Sequence, residues 1–268
     1  MTELRRVWRT AEESGFDHLW GYDHFGGVRA SISRPVYEGW TMLTAMAEAT
    51  SRIRIGLMVT GNSYRHPGVL AKMAVTVDHL SQGRLEFGIG AGWAREEHEM
   101  LGIPFLDSAG DRIRQMDEAI QVVKLLWMEE RASFDGTYYR LRDAVAEPKP
   151  FQRPHPPIWI GGSGERLTLR FAAQHASVWN YPGGTVEEAG RLAGVLDAHC
   201  ATVGRSPDEV RRSVQFKYAG DDPAALIGVV RPYIAMGFTE VIIQVDSPNA
   251  THKVEQLASS VLPELHHS

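Results

Sequence analysis

Strand-like and helix-like segments alternate along most of the 268 residues, glycine-rich turns follow several apolar strands, and the length suits the roughly 250 residues an α/β barrel commonly takes. Together these observations predict an α/β fold of parallel strands joined by right-handed crossovers. The expected form is a (β/α)8 TIM barrel making a single domain over residues 1–268, with an open doubly wound sheet as the alternative.

Leu4, Val7, Trp8 and Ala11 recur at helical spacing and Gly15 stands where a C-cap belongs, so the segment opens on a helix. Phe16–Tyr22, short and aromatic-rich, reads as a strand, and after Gly26-Gly27 a helix runs from about Pro35 to Ala49. Ile53–Val59 is a strand, Pro67 opens a helix through His79, and Arg84–Ile89 is the next strand. Ile113, Met116, Ile120, Val123 and Trp127 make the apolar stripe of a long helix that should lie on a sheet. Residues 128–157 break the rhythm. Asp135-Gly136 between Phe134 and Tyr138-Tyr139 signals a hairpin and five prolines follow from Pro148, which marks an insertion before the fifth barrel strand.

The unit resumes with strand Ile158–Ile160, a helix from about Glu165, strand Ser177–Trp179 and a helix from Val186 to Val203. Ser206-Pro-Asp-Glu209 is a capping box with proline at the first helical position, and it leads into strand Ser213–Tyr218. Pro223–Met236 is helical, Gly237 stops it, Thr239–Val245 is a strand, and Val254, Leu257, Val261 and Leu262 mark a last amphipathic helix before a His266-His267 tail. Seven strands are visible and the opening helix has none before it, so the expected barrel lacks its first strand.

Hydrophobic residues make up 43% and charged residues 23%, enough for a globular core. The net charge of -5, without any basic run, argues against nucleic acid and anionic membranes as partners. No apolar run approaches 18 residues and the start does not read as a signal peptide. Cys200 alone can form neither an intramolecular disulfide nor a cysteine metal cluster, which points to a reducing, cytoplasmic setting. A small-molecule substrate, with a possible homodimer, is the expected partnership.

Barrel active sites are built from the loops after the strands' carboxyl ends, so four places carry weight: Asp23-His24-Phe25, Thr60-Gly61-Asn62, Gly90-Ala91-Gly92-Trp93 and Gly161-Gly162-Ser163-Gly164. His24 can exchange a proton near neutral pH or bond a bound ring, with Asp23 fixing its orientation; alternatively the two merely satisfy a strand end. Gly161–Gly164 follows a strand and opens a helix, where backbone N–H groups suit a phosphate, or else is a plain turn. Gly90–Trp93 is either a tight turn with a buried indole or a close approach of backbone to a flat ligand, walled by Trp93. His66 and His98 lack the spacing of a zinc motif, so no metal is expected. No G-x-S-x-G elbow is present, and Cys200 falls on a helix far from the loop face.

Five blocks in order resemble the luciferase-like flavin and deazaflavin oxidoreductases: Leu19-Trp-Gly-Tyr-Asp-His-Phe25, Leu57-Met-Val-Thr-Gly-Asn-Ser-Tyr-Arg-His-Pro67, Asp78-His-Leu-Ser-Gln-Gly-Arg-Leu85, Gly88-Ile-Gly-Ala-Gly-Trp93 and Pro156-Pro-Ile-Trp-Ile-Gly-Gly162. Within that superfamily the chain is most similar to the actinobacterial deazaflavin-dependent oxidoreductases. The resemblance implies a (β/α)8 barrel that uses coenzyme F420, or FMN as the alternative. It implies hydride transfer to or from an organic substrate, or oxygen insertion if the cofactor is FMN, or else a non-catalytic flavin-binding relative. It places His24 at the ring's reactive face with Asp23 beside it, Met58, Val59, Thr60 and Asn62 behind the ring, Gly90, Gly92 and Trp93 along it, and Gly161, Gly162, Ser163 and Gly164 on the cofactor phosphate. A non-proline cis peptide is expected at Met58–Val59, with Leu57–Met58 as second choice. Sugar-phosphate dehydrogenases of the superfamily carry glutamate where Trp93 stands, which argues against sugar-phosphate oxidation.

Overall fold

The computed structural model describes residues 1–28, 31–220, 222–246 and 249–266; His267 of the expected tail lies outside them. In chain order the elements are α1 (Thr2–Glu13), β1 (His18–Gly21), α2 (Gly39–Ala49), β2 (Arg54–Leu57), β3 (Thr60–Gly61), α3 (Pro67–Leu80), β4 (Leu85–Gly90), α4 (Arg95–Leu101), α5 (Ala109–Met128), β5 (Ala132–Asp135), β6 (Arg140–Ala144), β7 (Ile158–Gly161), α6 (Thr168–His175), β8 (Val178–Tyr181), α7 (Val186–Thr202), β9 (Arg211–Tyr218), α8 (Pro223–Ala235), β10 (Glu240–Val245), α9 (Ala250–Ser260) and α10 (Leu262–His266). The chain forms two compact units, and it passes from one to the other within β1, α2, β2 and β7.

The unit holding residues 20–48 and 55–159 runs its strands in the order β1-β2-β4-β7. Parallel pairing places Ile55 opposite Leu85 and Gly56 opposite Glu86, while the short β3 pairs Thr60 with Ile89 and Gly61 with Gly90. All six β4 residues are buried, as a parallel strand covered on both faces requires. Trp127 of α5 packs edge-on to Phe87 at 5.1 Å, and its indole N–H donates to the Ala71 carbonyl at 3.1 Å, so the predicted apolar stripe does face the sheet. Pro67 is the first residue of α3, and the His66 ring caps it by accepting the Gly68 N–H. β5 and β6 pair antiparallel as the expected hairpin, and the Glu118 carboxylate accepts the backbone N–H groups of Thr137, Tyr138 and Tyr139 at its turn.

The unit holding residues 1–19, 49–54 and 160–268 runs in the order β7-β8-β9-β10. Val178–Tyr181 pairs with Arg211–Val214, and Ser213–Tyr218 with Glu240–Val245, all parallel. Trp179, Tyr233 and Phe238 form its aromatic centre, while Leu226, Val230, Leu257 and Val261 close α8 and α9 over Tyr218. Ser206 and Glu209 make the expected capping box, although the turn they start is a single 3-10 turn, Pro207–Glu209. Every residue of β10 and of β1 is half-buried.

Several boundaries depart from expectation, three of them most. The α2 helix begins at Gly39, four residues after Pro35. The Ile53–Val59 strand stops at Leu57 and reforms as β3, and the Met58–Val59 peptide between them is cis, at the bond expected. The glycine run 161–164 does not open a helix directly: residues 165–167 form a turn first, and α6 starts at Thr168.

Candidate functional site

The loop after β1 carries Asp23, His24 and Phe25, and the helix that meets it is α4, which sequence reading did not single out. The Glu97 side chain of α4 is fully buried and collects four polar contacts. Its Oε1 accepts the backbone N–H groups of Phe25 at 2.5 Å and Gly26 at 2.8 Å. Its Oε2 accepts the Tyr64 hydroxyl at 2.5 Å and lies 2.7 Å from His24 Nδ1. Burial raises the Glu97 pKa, but the hydrogen bonds from Tyr64, His24 and Gly26 outweigh it and hold the carboxyl below its usual range. Burial, and then the Glu97 carboxylate, push the Tyr64 phenol up, so it remains a donor.

Asp23 does not orient His24, contrary to expectation. Its fully buried carboxylate is gripped by Arg65, Nη1 at 2.6 Å and Nη2 at 2.9 Å, and it accepts the Thr60 hydroxyl. Arg65 also pairs with Glu38, and Thr60 Oγ1 accepts the Trp40 indole N–H at 3.0 Å. Asp23 and His24 are thus neighbours in sequence that serve separate networks. Thr60 accordingly has its hydroxyl hydrogen engaged within the protein.

The α4 helix is fixed by a second bond beside Glu97. The His98 ring is buried, with Nδ1 2.8 Å from the Ala94 carbonyl and Nε2 2.8 Å from Ser63 Oγ, and it stacks on Tyr64 at 4.9 Å. Trp93, read as either buried or walling, is half-exposed and stands edge-on to His24 at 5.6 Å. The spaces beside Gly90 and Gly92 are filled from within: a Cβ on Gly90 would meet Val59 Cγ2 at 2.5 Å, and one on Gly92 would strike Ser63 Oγ. On the side where a side chain would stand, these glycines therefore make room for the protein's own Val59 and Ser63.

Asn62 carries a buried polar atom that the surrounding protein leaves unanswered. Its Nδ2 donates to the Tyr139 hydroxyl at 3.4 Å while its Oδ1, buried with it, has no hydrogen-bond partner. Met58 is buried and Val59 half-buried just upstream. In the other unit Gly162 adopts φ +129°, its N–H donates to the Asn180 carbonyl at 3.0 Å, and its carbonyl accepts the Trp179 indole at 2.8 Å; Ser163 and Gly164 are exposed, and Gly161 ends β7. Among the described residues no group of three or more His, Cys, Asp or Glu could hold a metal ion, and no helix is long and apolar enough to cross a membrane.

A family model described as luciferase-like monooxygenase matches residues 1–261. The chain belongs to the luciferase-like monooxygenase family. This luciferase-like chain is 34% identical over 226 residues to an F420-dependent glucose-6-phosphate dehydrogenase of Microbacterium testaceum, covering 81% of the chain and 64% of that protein. It is 30% identical over 184 residues to an FMNH(2)-dependent dimethylsulfone monooxygenase of Pseudomonas putida, 69% of the chain and 49% of that protein. It therefore spans between about half and two-thirds of the length of these relatives. Its fold is similar to that of the coenzyme F420 dependent tetrahydromethanopterin reductase of Methanopyrus kandleri, with a TM-score of 0.84, 17% identity and coverage of 98% and 95% of the two chains. That likeness shows an α/β fold of the TIM-barrel class.

Glu97, Tyr64 and Arg65 are the members of this candidate site that sequence reading missed. In Arg95-Glu-Glu-His-Glu99 the three glutamates look alike; only the fold buries Glu97 and leaves Glu96 and Glu99 exposed. The one signal available was Tyr64-Arg65 inside the block that carried the resemblance, where both residues could have been weighed as partners for Asp23-His24.

Proposed function

We propose that this chain is an oxidoreductase that moves a hydride between coenzyme F420 or a reduced flavin and a small organic substrate. The single observation that carries the reading is His24, a partly exposed imidazole held 2.7 Å from a buried, ionised glutamate at the end of a parallel strand. When bound, the deazaflavin or flavin supplies the hydride chemistry, and the protein supplies orientation, electrostatics and a proton partner. The residues fit such a group at one tested point. Asn62 Oδ1 is a buried acceptor without a donor, and the imide N–H of either ring system could satisfy it. Met58, Val59 and the Thr60 backbone would lie behind the ring with Asn62, and Trp93 would wall its His24 side. In the other unit the exposed Ser163 and Gly164 of the Gly161–Gly164 loop would offer backbone N–H groups to a phosphate, the Gly162 N–H being already given to the Asn180 carbonyl. His24 would hold or release the proton, and Asp23, neutralised by Arg65, would keep the loop in place.

The FMN-dependent monooxygenase reading is retained because a dimethylsulfone monooxygenase is among the relatives. The F420 reading is favoured by the glucose-6-phosphate dehydrogenase, more of which the chain covers; Trp93, an apolar group at the site's mouth, speaks for a substrate other than a sugar phosphate. The same proposal takes residues 1–268 as one working domain with 128–157 inserted, acting in the cytoplasm as a homodimer. Titrating the purified protein with F420 and with FMN, by fluorescence quenching, tests it. Saturable binding of F420 that Asn62→Leu weakens is the expected result; binding of FMN alone would favour the monooxygenase, and binding of neither would end the enzyme reading.

A further inference from the structure

Four donors converge on the Glu97 carboxylate, and their geometry assigns a proton that the heavy atoms alone do not show. The Phe25 and Gly26 amides can only donate, and both end on Oε1. The Tyr64 hydroxyl has two oriented choices, His24 Nδ1 at 3.5 Å or Glu97 Oε2 at 2.5 Å, and the shorter contact takes its hydrogen. An ionised carboxylate has no hydrogen to give, so at 2.7 Å the hydrogen between Oε2 and the ring belongs to His24 Nδ1. Turning the ring over would set a carbon against the carboxylate, and Trp93, edge-on at 5.6 Å, limits that motion from the side. Glu97 itself cannot drift, because the 62–64 turn holds α4 twice, through Tyr64 on Glu97 and through Ser63 on His98.

We propose that Glu97, backed by Tyr64, is a positioning residue that fixes the His24 imidazole as the Nδ1–H form and thereby makes Nε2 the atom that takes up or releases the proton. The proposal rests on the reading of His24 as the proton partner. In the neutral ring Nε2 then carries the lone pair, and among the described residues nothing hydrogen-bonds to it. A protonated ring gives up its hydrogen from Nε2, since the Nδ1 hydrogen is held by a carboxylate; no step requires Glu97 to change its own protonation. The Asp23 carboxylate, which sequence order puts next to His24, is excluded from this task by its two bonds to Arg65.

The test uses the full chain labelled with 15N-histidine and two-bond 1H–15N correlation spectra at a pH where the ring is neutral, with the His24 signals assigned by their loss in His24→Gln. The expected result is a single Nδ1–H form for His24 in the unmodified chain. In Glu97→Gln, whose amide can turn either its oxygen or its nitrogen to the ring, that preference is lost and both forms are populated, while the His18, His155 and His199 signals stay in place. A His24 ring carrying its hydrogen on Nε2 in the unmodified chain overturns the proposal, and so does a folded Glu97→Gln with an unaltered His24 spectrum. The first of these measurements needs no variant and decides even if Glu97→Gln does not fold. Unchanged turnover in a folded His24→Ala would instead remove the catalytic consequence while the tautomer assignment stood, which separates failure of the functional reading from failure of the assignment.

Discussion

Arg65 holds Asp23 through two nitrogens, at 2.6 and 2.9 Å, although Asp23 is the chain neighbour of His24 and lies 42 positions from Arg65. The pair is buried on the aspartate side and only 12% exposed on the arginine side, so neither charge is well solvated without the other. Arg65→Ala leaves the Asp23 carboxylate uncompensated and should cost about 3 kcal/mol, read as a fall in the urea midpoint. Arg65→Lys keeps the charge but loses the fork that spans Asp23 and Glu38, and should fall between the two. A loss under about 1 kcal/mol for Arg65→Ala would mean that the pair is not the anchor of this loop.

His24→Ala should lower turnover by about 100-fold or more while cofactor affinity stays within a few-fold, because a proton partner acts on the reaction rather than on ground-state binding. Steady-state rates beside a fluorescence titration check it. A loss confined to binding would make His24 a residue that positions the cofactor.

Asn62→Leu should separate stability from binding. The substitution removes a buried acceptor that has no partner together with only one long, 3.4 Å bond to Tyr139, so unfolding free energy should change by less than about 1 kcal/mol, whereas cofactor affinity should fall about 10-fold. Thermal unfolding without cofactor, set against the binding titration, gives both numbers.

Among the β4 glycines, Gly88→Ala should destabilise more than Gly90→Ala. A Cβ at Gly88 would run into the Leu57 backbone carbonyl, which cannot move aside, while at Gly90 it meets the Val59 side chain, which can turn. Overpacking of this kind typically costs about 1 to 3 kcal/mol, and the order of the two melting temperatures is the measurement.

The His18 imidazole is held down to about 4, first by burial and then by Arg54 and Arg211, against the opposing pull of Asp17; Glu240, 3.8 Å away, is too far for a hydrogen bond. A folded-state value below the unfolded one means that the unfolded chain binds the proton more readily. This contribution is therefore fully present above pH 6.5 and is lost as pH falls from about 6.5 to about 4, by about 3 kcal/mol in all. His18→Leu should flatten the stability profile across that window, as denaturation curves at pH 4.5 and 7 would record.

Much of the fold was legible because local signals are local in cause. Pro67 with its His66 cap, the Ser206–Glu209 capping box and the Asp135-Gly136 turn are each fixed by residues within a few positions, and each appears where the spacing put it. The α4 helix, seven residues and mostly charged, has no apolar stripe of useful length, so its pattern did not separate it from a loop. The start of α6 was misplaced because a glycine run signals a turn without stating how many residues the turn takes.

By itself the sequence determined the alternation of strands and helices, the blocks that mark the luciferase-like family and the candidacy of His24, and through the family resemblance it pointed to Met58–Val59, ahead of Leu57–Met58, as the cis bond. Only the tertiary structure decided which carboxylate serves that histidine. Asp23, Glu38, Glu96, Glu97 and Glu99 are chemically near-equivalent in one dimension, and spacing cannot rank them. Packing ranks them: it buries Glu97 where two backbone amides, a phenol and an imidazole converge, commits Asp23 and Glu38 to Arg65, and leaves Glu96 and Glu99 in water.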